Sequence, residues 1–288
     1  MAKKIIQFDW ALKKLLRQKA NYDILEGFLS VLLKQDIIIK NILDSESNKE
    51  TENDKFNRVD IFAETNGSEL IIIELQVDNE VDYFQRMAYG TSKAITECMS
   101  TGDKYVKVKK VYSVNIVYFD LGQGKDYVYH GTTEFKGMHQ NDILTLSEKQ
   151  KQAMPHHKIS DIFPEYYVLK VNDFNDLAKD KLDEWIYVLK NSEVKEEFTA
   201  QGLDKVKVKL NYEGMSESEK NRYNEDMLNK SNAKSTLWTA KVEGVIAEKK
   251  ETAFRGFDMG LDNDMIIKLT SLSLSEVEVL RQEWETQK

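Results

Sequence analysis

Apolar residues recur at three- and four-residue spacing across residues 8–33, through Phe8, Leu12, Leu15 and Leu16 and then Ile24, Leu25, Phe28, Leu29 and Leu32. That period predicts helix, with Asn21 dividing it in two. Residues 37–43 are few and β-branched and predict a strand. Residues 44–55 are almost wholly polar and predict an exposed loop. Two apolar runs, 58–65 and 69–77, flank Asn66-Gly67-Ser68, a hairpin signal. Residues 81–99 predict a helix bearing Phe84, Met87, Ala88, Ile95 and Met99. The nearly continuous apolar run 111–119 predicts a strand covered on both faces. Residues 127–135 predict a strand that pairs with it after the Gly122/Gly124 turn.

Beyond residue 140 the pattern is weaker. Residues 163–169 predict a strand or loop of the same domain, 177–189 a helix, and 193–260 mostly polar helix. Residues 261–288 predict two short helices, the second opened by a capping box of Ser275 and Glu278. Hairpin strands followed by a helix and another strand predict an α/β fold, a mixed sheet flanked by helices. The expected division is an α/β domain at 1–190 and a helical C-terminal tail at 191–288, with a small helical hairpin at 261–288.

Composition narrows the function classes. The 288 residues suit one large domain or two modest ones. Lysine and arginine number 41 against 49 acids, a net charge of −8. That excludes nucleic-acid binding by bulk charge but leaves room for a local basic groove. The single cysteine, Cys98, excludes an intramolecular disulfide and a cysteine-based zinc site. The longest stretch without a formal charge is nine residues, 111–119. A membrane helix needs about 20, so no membrane partner is predicted. Asp9, Lys13 and Lys14 interrupt any N-terminal apolar segment, and the expected location is the cytoplasm.

The candidate chemistry lies in the hairpin. Asp60, Glu74 and Gln76 stand out in otherwise apolar strands. Acids there are costly unless paired, hydrogen-bonded or metal-bound. Glu74 and Gln76 are two apart and share a strand face. A three-residue loop places Asp60 opposite Glu74 on that face. A two-residue Asn66-Gly67 loop places it opposite Ile73 and turns Glu74 away. Carboxylates about 5 Å apart repel unless a cation lies between them, and oxygen donors suit Mg²⁺ or Mn²⁺. The plainer alternative is two acids facing solvent at the sheet end.

Val59-Asp60 followed by Ile73-Glu74-Leu75-Gln76 resembles the PD-(D/E)XK nuclease superfamily, and within it the recombination-promoting nucleases, or PD-(D/E)XK nuclease family transposases, in which Glu-x-Gln replaces Glu-x-Lys. The resemblance extends to Phe8-Asp9-Trp10-Ala11-Leu12-Lys13-Lys14, to Phe84-Gln85-Arg86-Met87-Ala88-Tyr89 and to Gly102-Asp103-Lys104-Tyr105. It implies a restriction-endonuclease-like core and a Mg²⁺-dependent endodeoxyribonuclease acting on DNA. It further implies Asp60, Glu74 and the Leu75 backbone carbonyl as metal ligands, Gln76 as the group that orients water or a phosphate oxygen, and Glu26 as a candidate additional acid. Gln76 is neutral, so another cation must offset phosphate charge, and Arg86 is the nearest by motif. A catalytically inactive DNA-binding or protein-interaction module on the same fold, its tail forming a homodimer, is the rival expectation.

Other residues carry two readings each. Arg86 and Tyr89 share a helix face. Arg86 contacts phosphate or pairs with Glu74 or Asp82, and Tyr89 supports it or belongs to the core. Lys104, Lys107, Lys109 and Lys110 form a DNA-backbone patch or a solvated loop. Lys205, Lys207 and Lys209, if in a strand, make one basic face. Adjacent His156 and His157 make a poor metal site, and His130 and His139 lack partners at ligand spacing. The four tryptophans are expected to be packing anchors.

Overall fold

A computed structural model describes residues 3–14, 16–43, 60–153 and 158–286. Its elements are β1 (Lys3–Lys4), α1 (Phe8–Lys14), α2 (Tyr22–Leu33), β2 (Ile39–Ile42), β3 (Ile61–Thr65), β4 (Leu70–Gln76), α3 (Tyr83–Glu97), β5 (Val111–Val117), β6 (Val128–Gly131), α4 (Glu148–Ala153), β7 (Glu165–Lys170), α5 (Lys181–Asn191), β8 (Glu193–Val194), α6 (Leu203–Lys209), α7 (Glu217–Asp258), α8 (Asn263–Thr270) and α9 (Leu274–Thr286). A short 3-10 turn, Lys19–Asn21, separates α1 from α2 where Asn21 was expected to break the helix. The polar segment 44–55 and the pair His156 and His157 lie outside the described residues.

Among the described residues the central sheet has six strands in the order β2-β3-β4-β5-β7-β6. β4, β5 and β7 are parallel, and β2, β3 and β6 join antiparallel. This is the mixed sheet with flanking helices that the α/β pattern predicts. β4 is buried on both faces, which explains its unbroken apolar run. α3 covers one face, burying Phe62, Leu70 and Ile72 against Ala94, and Tyr83 and Met87 against Val117 and Val168.

One strand pairing differs from expectation. β6 does not pair with β5; β7 lies between them and takes both as neighbours. β5 lies inside the sheet, where both backbone edges need partners; β4 takes one and β7, which begins at Glu165, takes the other.

By packing, the chain divides into two compact units, Met1–Met215 and Ser216–Lys288. Residues beyond 190 that belong to the first unit do so through buried contacts. β8 pairs with β1, and Val194, Leu203, Val206 and Leu210 are buried. The backbones of Gly27 on α2 and of Gln201-Gly202 meet so closely that a Cβ at Gly27 would lie 2.6 Å from the Gln201 oxygen. Lys205, Lys207 and Lys209 sit on α6 and not on a strand. The burial of Leu203, Val206 and Leu210 at helical spacing decides this over the alternation of Lys and Val.

In the second unit, Ala253 and Phe257 of α7 pack on Ile266 of α8 and Val277 of α9. The capping box at α9 is Ser273 with Glu276, not Ser275 with Glu278. The Ser273 N–H donates to Glu276 Oε2 at 2.7 Å, and the Glu276 N–H returns to Ser273 Oγ at 3.4 Å. Trp10 and Trp185 are core residues of the first unit, and Trp284 packs on Phe257. Trp238 instead lines an open apolar groove with Val242, Val245 and Val279 and is 68% exposed.

Candidate active site

Hairpin register builds the site. The Thr65 N–H donates to the Glu69 oxygen at 3.0 Å, so the loop is the three residues Asn66-Gly67-Ser68. Ser68 takes the left-handed conformation (φ 65°) that closes such a loop. Ile61 then faces Ile73, and Glu64 faces Leu70. Extending that register by one residue brings Asp60, just ahead of β3, opposite Glu74. The Asp60 Oδ2 accepts the Leu75 N–H at 2.8 Å, which fixes the carboxylate across the end of β4.

Glu74 is 6% exposed, and its contacts are long. The Tyr83 hydroxyl lies 3.4 Å from Oε2, Arg86 Nη2 lies 3.5 Å from Oε1, and Arg86 Nε lies 3.3 Å from Oε2. That last nitrogen is buried and lacks hydrogen-bond geometry. Burial therefore raises the Glu74 pKa above the usual carboxylate range. Arg86 opposes the shift, and the nearby charge of Asp60 adds to it. Burial and the Glu74 charge together hold the Tyr83 hydroxyl protonated to higher pH than usual. The same hydroxyl reaches Asn115 Oδ1 at 3.3 Å. Asn115 is the β5 partner of Glu74, and its amide donates to Ser113 Oγ at 3.0 Å.

Arg86 is bound more tightly elsewhere. Its Nη1 donates to Glu80 Oε1 at 2.8 Å and to Oε2 at 3.1 Å. Burial disfavours the guanidinium charge, but Glu74 and Glu80 outweigh it and raise the Arg86 pKa further. Gln76 Nε2 also donates to Glu80 Oε1, at 2.8 Å. The structural partners of Arg86 are thus Glu74 and Glu80; toward Asp82 its main-chain N–H makes only the ordinary helical bond to the carbonyl. Sequence patterning missed Glu80, Tyr83 and Asn115. Glu80 sits in the β4–α3 turn, where no period marks a polar residue. Asn115 was visible only as the one amide inside an apolar strand.

The other candidates are dispersed. Tyr89 is 42% exposed on α3 and does not belong to the core. Lys104 is exposed at the start of a 3-10 turn, Tyr105–Lys107. Its neighbours are paired: Lys107 with Asp103, Lys109 with Glu64 at 3.1 Å, and buried Lys110 with Glu165 at 2.9 Å. The lysine cluster is therefore not one basic patch. Glu26, on α2, accepts the Ile39 N–H at 2.8 Å and ties α2 to β2. His130 lies 2.6 Å from Glu165 and stacks on Tyr167.

Among the described residues no three His, Cys, Asp or Glu side chains group as a metal site. The donor set at the hairpin end is two carboxylates supplemented by the backbone. The Leu75 N–H points past the end of β3 toward Asp60, and a strand residue's carbonyl points to the same side as its N–H. The neighbouring Gln76 carbonyl points the other way, accepting the Tyr118 N–H of the β5 side at 3.0 Å. Glu74 is a desolvated charge whose neighbours under-compensate it, and a hard divalent cation relieves that deficit. These residues fit such an ion.

No helix of the described residues is long and apolar enough to cross a membrane. No curated protein and no solved structure matches the chain significantly. A family model described as PD-(D/E)XK nuclease family transposase matches residues 6–240. That span takes in the α/β core, the Asp60–Glu74 hairpin and over half of α7, and the chain belongs to the PD-(D/E)XK nuclease family transposases.

Proposed function

We propose that the chain is a metal-dependent DNA endonuclease. Membership of a nuclease family implies a DNA substrate, and PD-(D/E)XK nucleases generally use divalent metals. The observation that carries the reading is the pairing of Asp60 with a buried Glu74 whose charge its neighbours only partly offset.

In this reading Asp60, Glu74 and the Leu75 carbonyl hold Mg²⁺ or Mn²⁺. The ion supplies acidification of water and stabilisation of charge on the scissile phosphate. The protein's own contribution is positioning. Gln76 orients the attacking water through its amide. Arg86 neutralises a phosphate oxygen, and exposed Tyr89, three residues further along α3, contacts the DNA backbone beside it; Lys104, in the loop that enters β5 at the opposite end of β4, takes no part in this contact. Water attacks phosphorus in line and releases one proton to solvent as the new O–P bond forms, the P–O ester bond breaks, and the leaving oxygen takes one proton from solvent. No covalent protein intermediate is required. Glu26 is committed to the β2 backbone and serves the scaffold.

Nicking of supercoiled plasmid by the full chain tests this, with Mg²⁺ or Mn²⁺ and with EDTA. The reading expects metal-dependent nicking that disappears in Asp60→Ala and Glu74→Ala. Equal nicking in both variants contradicts it. Folded protein that nicks neither double- nor single-stranded DNA favours a non-catalytic module on the same fold.

A further inference from the structure

Glu80 joins two groups that the sequence leaves separate. Its Oε1 accepts from Gln76 Nε2 and from Arg86 Nη1, at 2.8 Å each, so a single atom separates the two donors. Its Oε2 takes a second bond from Nη1 at 3.1 Å. A carboxylate is met only by the NH₂ end of an amide, which leaves the Gln76 carbonyl end for the site. Gln76 shares a strand face with Glu74, so that end lies beside the carboxylate pair.

The bonding of Arg86 is asymmetric. It makes two hydrogen bonds of ordinary length to Glu80 and only long contacts, 3.3 and 3.5 Å, to Glu74. Glu74 is the more buried of the two acids, with side-chain exposure of 7% against 28% for Glu80. Burial strengthens attraction between charges, so a guanidinium free to choose would close on Glu74. Glu80 holds it back. A neutral amide orients a ligand but does not offset its charge, whereas a guanidinium offsets charge and binds phosphate oxygens in a fixed fork.

We propose that Glu80 is a positioning residue that anchors Arg86 beside Gln76, so that the amide carbonyl accepts from the attacking water while the guanidinium takes the scissile phosphate and Glu74 stays open to a cation. The proposal rests on the nuclease reading of the Asp60–Glu74 pair. A lysine at position 76 brings its own charge and removes the need for the bridge.

The test is a double-mutant cycle between Glu80→Ala and Gln76→Lys, read as plasmid nicking by the full chain at saturating Mg²⁺. Glu80→Ala is expected to slow nicking about 10- to 100-fold in the native background. In the Gln76→Lys background the same change is expected to cost less than about threefold. The same fractional loss in both backgrounds overturns the proposal, because a residue that merely shapes the turn acts independently of position 76. A readout free of turnover comes from the side-chain ¹⁵N signals of metal-free protein. Glu80→Ala is expected to shift the Gln76 amide and to release slowed rotation of the Arg86 guanidinium; unchanged signals also overturn the proposal. Native protein that nicks no DNA overturns the nuclease reading itself, and the proposal with it.

Discussion

Glu74 and Glu165 are carboxylates drawn into the same sheet, and they end in opposite electrostatic states. Glu165, at the start of β7, accepts from Lys110 Nζ at 2.9 Å and Tyr167 at 2.8 Å, with His130 Nε2 at 2.6 Å. Burial pushes its pKa up, but these three bonds outweigh burial and lower it. Glu74, toward the end of β4, has only long contacts to Arg86 and Tyr83, and burial wins. The difference lies in where the compensating cation is spent. Lys110 is given to Glu165, while Arg86 is held mainly by Glu80. One acid is structural and satisfied. The other carries an unmet charge beside a second carboxylate, the condition that favours a bound cation.

The largest expected effect separates the two acids by activity. Asp60→Ala and Glu74→Ala are expected to lower plasmid nicking by at least about 10³-fold, the scale of losing a principal charge stabiliser. Glu165→Gln is expected to leave the nicking rate of folded protein within about twofold. Comparable losses at both positions break the comparison.

Stability reverses the order. Glu165→Ala strands Lys110, whose side chain is 8% exposed, without its carboxylate. The expected loss is on the order of 2–3 kcal/mol, toward the low end for a broken buried pair because Glu165 keeps some solvent contact. Thermal unfolding reads it as a fall in Tm of about 2–4 °C per kcal/mol. Glu74→Gln is expected to show no such fall in metal-free protein.

Added Mg²⁺ or Mn²⁺ sharpens the contrast. At 100 times the dissociation constant, binding to the native state is worth about 2.7 kcal/mol. The native chain and Glu165→Gln are expected to gain it as a rise in Tm, and Glu74→Gln is not. A rise that survives Glu74→Gln places the ion elsewhere.

The smallest effect is in pH. The raised pKa of Glu74 means that the native state keeps its proton to higher pH than the unfolded chain does. Stability from this group therefore falls as pH rises from the ordinary carboxylate pKa through the raised one. Glu165 has the opposite sign: its contribution is present above the ordinary carboxylate pKa and is lost as pH falls. Metal-free Glu74→Gln is thus expected to gain stability over the native chain at pH 7 and to lose that advantage near pH 4. Denaturant unfolding at the two pH values measures it.

Much of the site was legible because the hairpin follows local rules. The apolar runs defined β3 and β4, and only loop length remained open; Ser68 in the left-handed conformation and the Thr65–Glu69 bond settled it. β5 was recognisable as a doubly covered strand. The place of β7 between β5 and β6 was not, since no local period encodes which strand a distant segment joins. Lys205 to Lys209 alternates like a strand, yet the buried Leu203, Val206 and Leu210 carried the helical spacing. Ser273 and Ser275 each precede a glutamate by three residues, so sequence alone could not choose the cap. Glu80 was invisible for a different reason. Its importance comes from two partners, one at the end of a strand and one a turn into a helix, and only the folded turn brings them to one carboxylate.

Direct titration of Mn²⁺ onto the full chain, followed by the electron paramagnetic resonance of the free ion, tests the central claim that Asp60 and Glu74 form a cation site. The expected result is a specific site in the native chain and in Glu165→Gln that is lost in Asp60→Ala and in Glu74→Gln. Mn²⁺ binding of equal affinity in Glu74→Gln, or no specific binding by the native chain, contradicts the claim.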